Sequence, residues 1–194
     1  MPVATRSNSV PRSRAPRRDA LRNDTVLINS ARAVFAEQGP NASMESIASR
    51  AGLGVGTIYR RFASKDALLD AIAQLFAEEM DHAATAALED PDPGTGLEGF
   101  LEFVGVFNAE KRRYAAALTD RVVSEDVSAQ TAEKVRQLTQ KAVNAGVLAP
   151  GTTGDDIKAL IIALRGVVSA SPDGDDNAWR RFLRIHLTGL RTNR

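Results

Sequence analysis

Ile47–Leu69 reads IASRAGLGVGTIYRRFASKDALL. Ile47, Ala48 and Ala51, with Met44 before them, form a short apolar stripe at helical spacing, and Ser43 stands at the N-cap position ahead of it. Gly52 closes that helix, because glycine adopts the left-handed cap conformation at little cost. A further helix runs to about Phe62, and Ser64 caps the next one. A small residue where two helices cross (Ala48), a glycine turn, and an apolar anchor six residues later (Ile58) are the parts of a helix-turn-helix. With Ile58 and Phe62 turned inward, Gly56, Thr57, Arg60 and Arg61 fall on the outer face.

That outer face is bare and cationic, which suits the groove of a duplex. Gly54 and Gly56 let the backbone come close to a phosphate or base edge. Thr57 can contact either, Arg60 and Arg61 can pair with phosphate or guanine, and Tyr59 offers a hydroxyl on a rigid ring. Lys65 sits in the first turn of its helix, where a cation opposes the dipole; it makes better sense as a phosphate contact beside the N-terminal amides. Ser43 is placed to do likewise. The competing reading is a helical hairpin with solvated cations.

Upstream, Leu27, Ala31, Val34 and Phe35 recur at helical spacing from about Asp24, and Gly39-Pro40 stops the run. Residues 1–18 carry five arginines and three prolines and no acid, a composition that builds no core and reads as a disordered arm. The arm is either a solvated tail or a strand of cations that follows phosphates, with Arg17 and Arg18 the candidates. Charge is divided along the chain: residues 1–66 hold 11 basic and 5 acidic residues, and residues 67–194 hold 14 and 19. A basic end for a polyanion and an acidic body follow from that split.

Downstream the pattern stays helical. The helix capped by Ser64 carries Leu68, Leu69, Ile72, Leu75, Phe76 and Met80, and fades by about Leu88. Pro91–Gly94 reads as a turn, followed by helices over Leu97–Asn108, Lys111–Thr119 and Ser128–Ala145. Thr153 and Asp156 form a capping box ahead of a helix bearing Ile157, Leu160, Ile161, Leu164 and Val168. The last helix runs from about Asn177 to Arg191. No stretch alternates with period two, so the expectation is an all-α protein of about nine helices.

The chain of 194 residues contains no cysteine, which excludes disulfides and thiolate metal sites and fits a reducing cytoplasm. No apolar run approaches the ~18 residues of a membrane span, and the N-terminus lacks the apolar core of a secretory signal. Glu78 and His82 lie four apart, but with two histidines in the chain no metal site or cofactor is expected. No glycine loop follows a strand and no His–carboxylate–nucleophile set is present, so an enzyme is not expected.

In the body, Phe100, Phe103 and Phe107 share one helix face with Tyr114 close behind, and Phe76 and Met80 offer a second wall. These six read either as a core stripe or as an aromatic-walled pocket for an apolar or flat ligand. Leu160, Leu164, Val168, Trp179, Phe182, His186 and Leu190 are candidates for a dimer interface, with Ala159, Ala163, Gly166 and Ala170 permitting close approach; a monomeric core is the alternative.

Four segments carry a resemblance: Phe35-Ala-Glu-Gln-Gly39, Ser43-Met-Glu-Ser-Ile-Ala48, Arg50-Ala-Gly-Leu-Gly-Val-Gly-Thr-Ile-Tyr-Arg-Arg-Phe62 and Ser64-Lys-Asp-Ala-Leu68. Together they resemble the DNA-binding domain of the TetR (tetracycline-repressor-like) family of bacterial transcriptional regulators. The resemblance implies a homodimer whose third helix enters the major groove of operator DNA. It also implies a C-terminal helical domain that binds a small effector and dimerises through its last two helices. Arg61 stands where many relatives carry histidine, which bears on base preference. The expected division is an arm (1–18), a helix-turn-helix domain (19–66) and an effector-binding and dimerisation domain (67–194). The expected function is a dimeric, cytoplasmic DNA-binding regulator, a repressor released by an effector; the alternative is an effector-independent architectural DNA-binding protein.

Overall fold

The computed structural model describes residues 15–118, 121, 123–172 and 175–191, with side chains from residue 25 onward. Among them are eight α-helices and one 3-10 segment: α1 (Ala15–Gln38), α2 (Met44–Ala51), α3 (Val55–Arg61), α4 (Lys65–Glu89), α5 (Pro93–Glu110), the 3-10 segment (Arg112–Leu118), α6 (Glu125–Asn144), α7 (Gly154–Ala170) and α8 (Asn177–Leu190). No strand occurs among the described residues; a lone antiparallel bridge joins Leu148 to Arg191. The fold is all-α, with an N-terminal helix-turn-helix and a C-terminal helical domain. Among the described residues no helix is long and apolar enough to cross a membrane.

Capping chemistry sets most boundaries. Ser43 Oγ accepts from Ser46 N at 3.1 Å, and Gly52 ends α2 at φ 67° with Leu53 N donating to the Ala48 carbonyl at 2.9 Å. Ser64 Oγ accepts from Ala67 N at 3.1 Å at the start of α4. Thr153 and Asp156 cap each other's backbone as a full capping box.

Three boundaries differ from the sequence pattern. Helix α1 begins at Ala15 and so takes in the last residues of the expected arm; residues 1–14 lie outside the described residues, as do the side chains of Arg17 and Arg18. Helix α5 begins at Pro93 rather than Leu97, because Asp92 Oδ1 accepts from Thr95 N at 2.7 Å and proline suits the first helical turn. Helix α6 begins at Glu125 rather than Ser128, with Glu125 and Asp126 complementing the dipole of its first turn.

Two cores result. One joins α1, α2, α3 and the first half of α4 through Leu27, Phe35, Ile47, Ile58, Leu68 and Ile72. The other packs the rest of α4 with α5 to α8 around Leu101, Leu138, Leu164 and Trp179. Helix α4 belongs to both: Leu68, Leu69, Ile72 and Phe76 serve the first, Ala84 and Ala87 the second. At ~1.5 Å per residue it is a rod of about 37 Å running from the head through the body. Phe76, Phe107 and Tyr114 extend the head's core into the body.

Candidate functional site

Helix α3 has one completely buried residue, Ile58, worth about 1.5–3 kcal/mol of burial. Phe62, just past its end, is half-buried. Gly54, Val55, Gly56, Thr57, Tyr59, Arg60 and Arg61 are all exposed. A Cβ added at Gly54 or Gly56 would meet nothing within 4 Å, so both glycines border open space. Arg60 Nη2 donates to Thr57 Oγ1 at 3.0 Å, which aligns the two on the outer face. The helix is thus held by one apolar anchor and offers its polar side outward.

Two flanking residues are less free than their sequence position suggests. Lys65 Nζ donates to the Pro40 carbonyl at 2.8 Å and the Ala42 carbonyl at 3.4 Å, tying the α1–α2 turn to the start of α4. Ser43 is exposed, and its hydroxyl is engaged as the α2 cap and lies 3.2 Å from Ser46 Oγ. Arg50 Nη1 meets Glu37 at 2.7 Å, bracing α2 against α1.

The head is coupled to the body by aromatic and ionic contacts. The rings of Phe35 and Tyr114 lie 5.8 Å apart, Phe76 and Phe107 meet edge-on at 4.8 Å, and Phe103 stacks on Phe107 at 5.2 Å. Arg32 of α1 sits 4.5 Å over the Phe76 ring and bonds Glu79 of α4 at 2.7 Å. Burial pushes the Tyr114 hydroxyl up to about 12.

Two adjoining cavities open in the body. The first, of about 730 Å³, lies between α4, the 3-10 segment and α7, with Phe76, Met80, Lys111 and Arg165 in its lining. The second, of about 830 Å³, lies along α6 and α7 and includes Phe100, Thr139 and Ile161. Met80, Ser128, Thr131 and Arg165 border both. Lys111 Nζ lies 4.9 Å from the Phe76 centroid and 4.5 Å from that of Phe107. Desolvation, assisted by Arg165 and Arg32, lowers its ammonium to about 8.

Residues 27–72 match the family model described as bacterial regulatory proteins, tetR family. Over these residues the chain is similar to the DNA-binding domain of the TetR family. Solved structures extend the likeness to the whole fold. A TetR transcription regulatory protein from Mycobacterium vanbaalenii is 27% identical with a TM-score of 0.71, over 91% of this chain and 99% of that one. A TetR transcriptional regulator from Streptomyces coelicolor is 24% identical with a TM-score of 0.71, over 88% and 99%. A ketosteroid transcriptional regulator of Mycobacterium tuberculosis is 20% identical with a TM-score of 0.65, over 88% and 95%. No curated protein matches the sequence.

The structure distributes two groups of expected site residues differently from the sequence pattern. Of the six pocket candidates, Phe76 and Met80 line the first cavity, and Phe100 and Met80 the second. Phe103, Phe107 and Tyr114 line neither; Phe107 and Tyr114 are buried in the head's core, with Phe103 packed against it. The aromatic stripe on α5 therefore serves mainly as the joint between head and body. Of the dimer candidates, Leu160, Leu164, Val168 and Trp179 are buried in the chain's own core. Periodicity located the apolar faces of α7 and α8, but those faces point inward. Phe182 and Leu190 are half-buried and His186 is exposed, with its ring 3.9 Å from that of Phe182. Ile162 and Ile185 are 58% and 55% exposed on these two helices. Each is an isoleucine standing outside its helix's main apolar stripe.

Proposed function

We propose that this chain is a dimeric DNA-binding transcriptional regulator, a repressor that leaves its operator when a small molecule occupies the body. The reading is carried by α3, which is anchored by Ile58 alone and turns Gly56, Thr57, Tyr59, Arg60 and Arg61 to solvent. Thr57 and Arg60 supply base recognition there, and Tyr59, Arg61, Lys65 and Ser43 supply phosphate contacts, with Arg17 and Arg18 following the backbone. Two copies pair through the outer faces of α7 and α8, where Ile162 and Ile185 are accompanied by the exposed Ala159, Ala163, Gly166 and Gly189. Their reading helices then meet half-sites about one turn, ~34–36 Å, apart. The protein acts by binding, catalyses no reaction, and works where the DNA is, in the cytoplasm.

Release follows from α4. One end of this helix abuts the reading head at Ser64 and Lys65, and its middle lines the first cavity with Phe76 and Met80. A ligand that fits better when α4 is displaced changes the spacing of the two reading helices, and only such differential affinity shifts the equilibrium.

Selection of bound fragments from the native genome, followed by fluorescence anisotropy on the recovered sequence, tests the reading. Paired half-sites are expected, with binding weakened at least tenfold in Thr57→Ala and Arg60→Ala. Unselective recovery that neither variant alters would overturn it.

A further inference from the structure

Resting on the effector reading above, we infer that the first cavity takes an apolar acid: a monoanionic head held by Lys111 and Arg165, with a hydrophobic body against Phe76, Met80 and Leu118. Among the described residues no aspartate or glutamate lines this cavity, whereas Lys111, Arg112 and Arg165 all do. The three cations are not equivalent. Arg112 is committed elsewhere, its Nη1 donating to the Pro172 carbonyl at 2.8 Å and its Nη2 lying 3.9 Å from Asp176. Arg32, the cation behind the cavity wall, is matched by Glu79 at 2.7 Å. Among the described residues neither Lys111 nor Arg165 forms an ion pair.

The half-buried Lys111 and the more exposed Arg165 therefore bring like charges to one cavity, without an ion-pair partner among the described residues. Desolvation and the charge of Arg165 hold the Lys111 ammonium down, and desolvation lowers the Arg165 guanidinium as well. Bound anion relieves both effects, because charge-assisted hydrogen bonds in a low-dielectric space are the strong ones. A cation in the same place would add a third like charge, and a neutral ligand would leave the repulsion as it stands. The cavity volume of about 730 Å³ falls within the ~300–1,000 Å³ of small-molecule sites. The apolar residues lie on α4 and the 3-10 segment and the cations at Lys111 and on α7, so the ligand is amphipathic in one direction.

Two dyes with the same ring system test this on the full-length protein. Anilinonaphthalene sulfonate carries an anion; phenylnaphthylamine does not. The expected result is about tenfold tighter binding of the sulfonate, lost in Arg165→Gln and in Lys111→Met. Ala77→Phe, which fills the same cavity, should abolish binding of both dyes, and circular dichroism checks that each variant remains folded. Equal affinity for the two dyes, both displaced by Ala77→Phe and indifferent to the charge variants, overturns the acid preference and leaves the effector cavity standing. Dye binding that Ala77→Phe does not touch, or no binding of either dye, removes the cavity as a ligand site and both readings with it.

Discussion

Arg121 grips Asp66: its Nη2 donates to Asp66 Oδ1 at 2.6 Å, and its Nη1 donates to the Asp66 carbonyl at 3.0 Å. The same Nη1 bonds Asp70 at 2.9 Å, and Nε reaches the Ala117 carbonyl at 2.9 Å. One side chain therefore fastens the end of the 3-10 segment, which lines the first cavity, to the opening turns of α4, next to Lys65. Arg121→Ala should cost little stability, on the order of 1 kcal/mol, because the carboxylates are solvent-exposed. Amide exchange over Ala67–Asp70 should nevertheless accelerate, and salt should reproduce part of the effect in the unmodified protein. Unaltered exchange there would mean that the Ser64 cap alone holds this turn.

The hydrogen bond from Arg60 to Thr57 ties two base-reading candidates together. Thr57→Ala should free the Arg60 guanidinium as well as remove a hydroxyl, so the two substitutions should not add. A double-mutant cycle on operator affinity should give a coupling of about 0.5–3 kcal/mol. Additive effects would indicate that the pair separates on DNA.

Lys65 and Gly56 separate stability from recognition. Lys65→Ala should lower stability by about 1 kcal/mol even without DNA, since it frees the Pro40 and Ala42 carbonyls. If Lys65 also reaches phosphate, the salt slope of binding should become shallower by about one unit. Gly56→Ala should instead stabilise α3 by about 0.5–1 kcal/mol, as open space surrounds the new methyl. Operator affinity should fall about tenfold (~1.4 kcal/mol) if the backbone comes close to the duplex at this point. Urea unfolding and anisotropy on the same samples distinguish the two effects.

What the sequence could show depended on whether local chemistry or packing decided the matter. The Ser43, Ser64 and Thr153 caps and the left-handed Gly52 are local, and each stands where the residue pattern put it. The start of α5 was hidden because Pro93 reads as a breaker unless Asp92 is recognised as its cap. Lys111–Thr119 has helical spacing, yet Arg112–Leu118 is a 3-10 segment, its Tyr114 ring held between those of Phe35 and Phe76. Helix α8 gives the plainest case. Its Trp179 looks like an interface aromatic in sequence, but the ring fills the space beside Gly105, where a Cβ would overlap it. Only the α5–α8 packing reveals that Gly105 and Trp179 are one contact. Gly105→Ala should therefore destabilise by at least about 1–3 kcal/mol in thermal unfolding.

Buried cation and buried phenol give stability a pH profile with opposite slopes. Lys111, faced by Arg32 from α1, Glu79 from α4 and Arg165 from α7, titrates at about 8 when folded, against 10.5 ordinarily. Between those values the unfolded chain binds more protons, so stability rises with pH through that window. Tyr114, with Arg32, Glu79 and Glu110 around it, has its hydroxyl raised from 10.0 to about 12. Above pH ~10 the unfolded phenol loses its proton first, and stability falls. Urea unfolding at about pH 7.5, 10 and 12 should trace a maximum near pH ~10, where the two windows meet. Lys111→Met should remove the rising limb and leave the falling one, and an anionic ligand should shift the rising limb to higher pH.

The proposed pairing surface rests on which apolar residues α7 and α8 leave outside. Leu164 and Ile162 are two positions apart on α7, yet the first is completely buried and the second 58% exposed. Ile185 stands outward on α8 in the same way, two positions beyond the buried Leu183. Both isoleucines are just over half exposed, so burying the remainder contributes roughly 2–3 kcal/mol per copy by side-chain transfer. Placing aspartate at both positions puts like charges across a two-fold contact and removes that burial. Ile162→Asp with Ile185→Asp should give a folded monomer by light scattering, with its helical circular dichroism intact and operator affinity lowered at least a hundredfold. Leu164→Asp should instead unfold the body, because a carboxylate there has no solvent to face. A dimer that survives the double substitution would place the pairing surface elsewhere on the body.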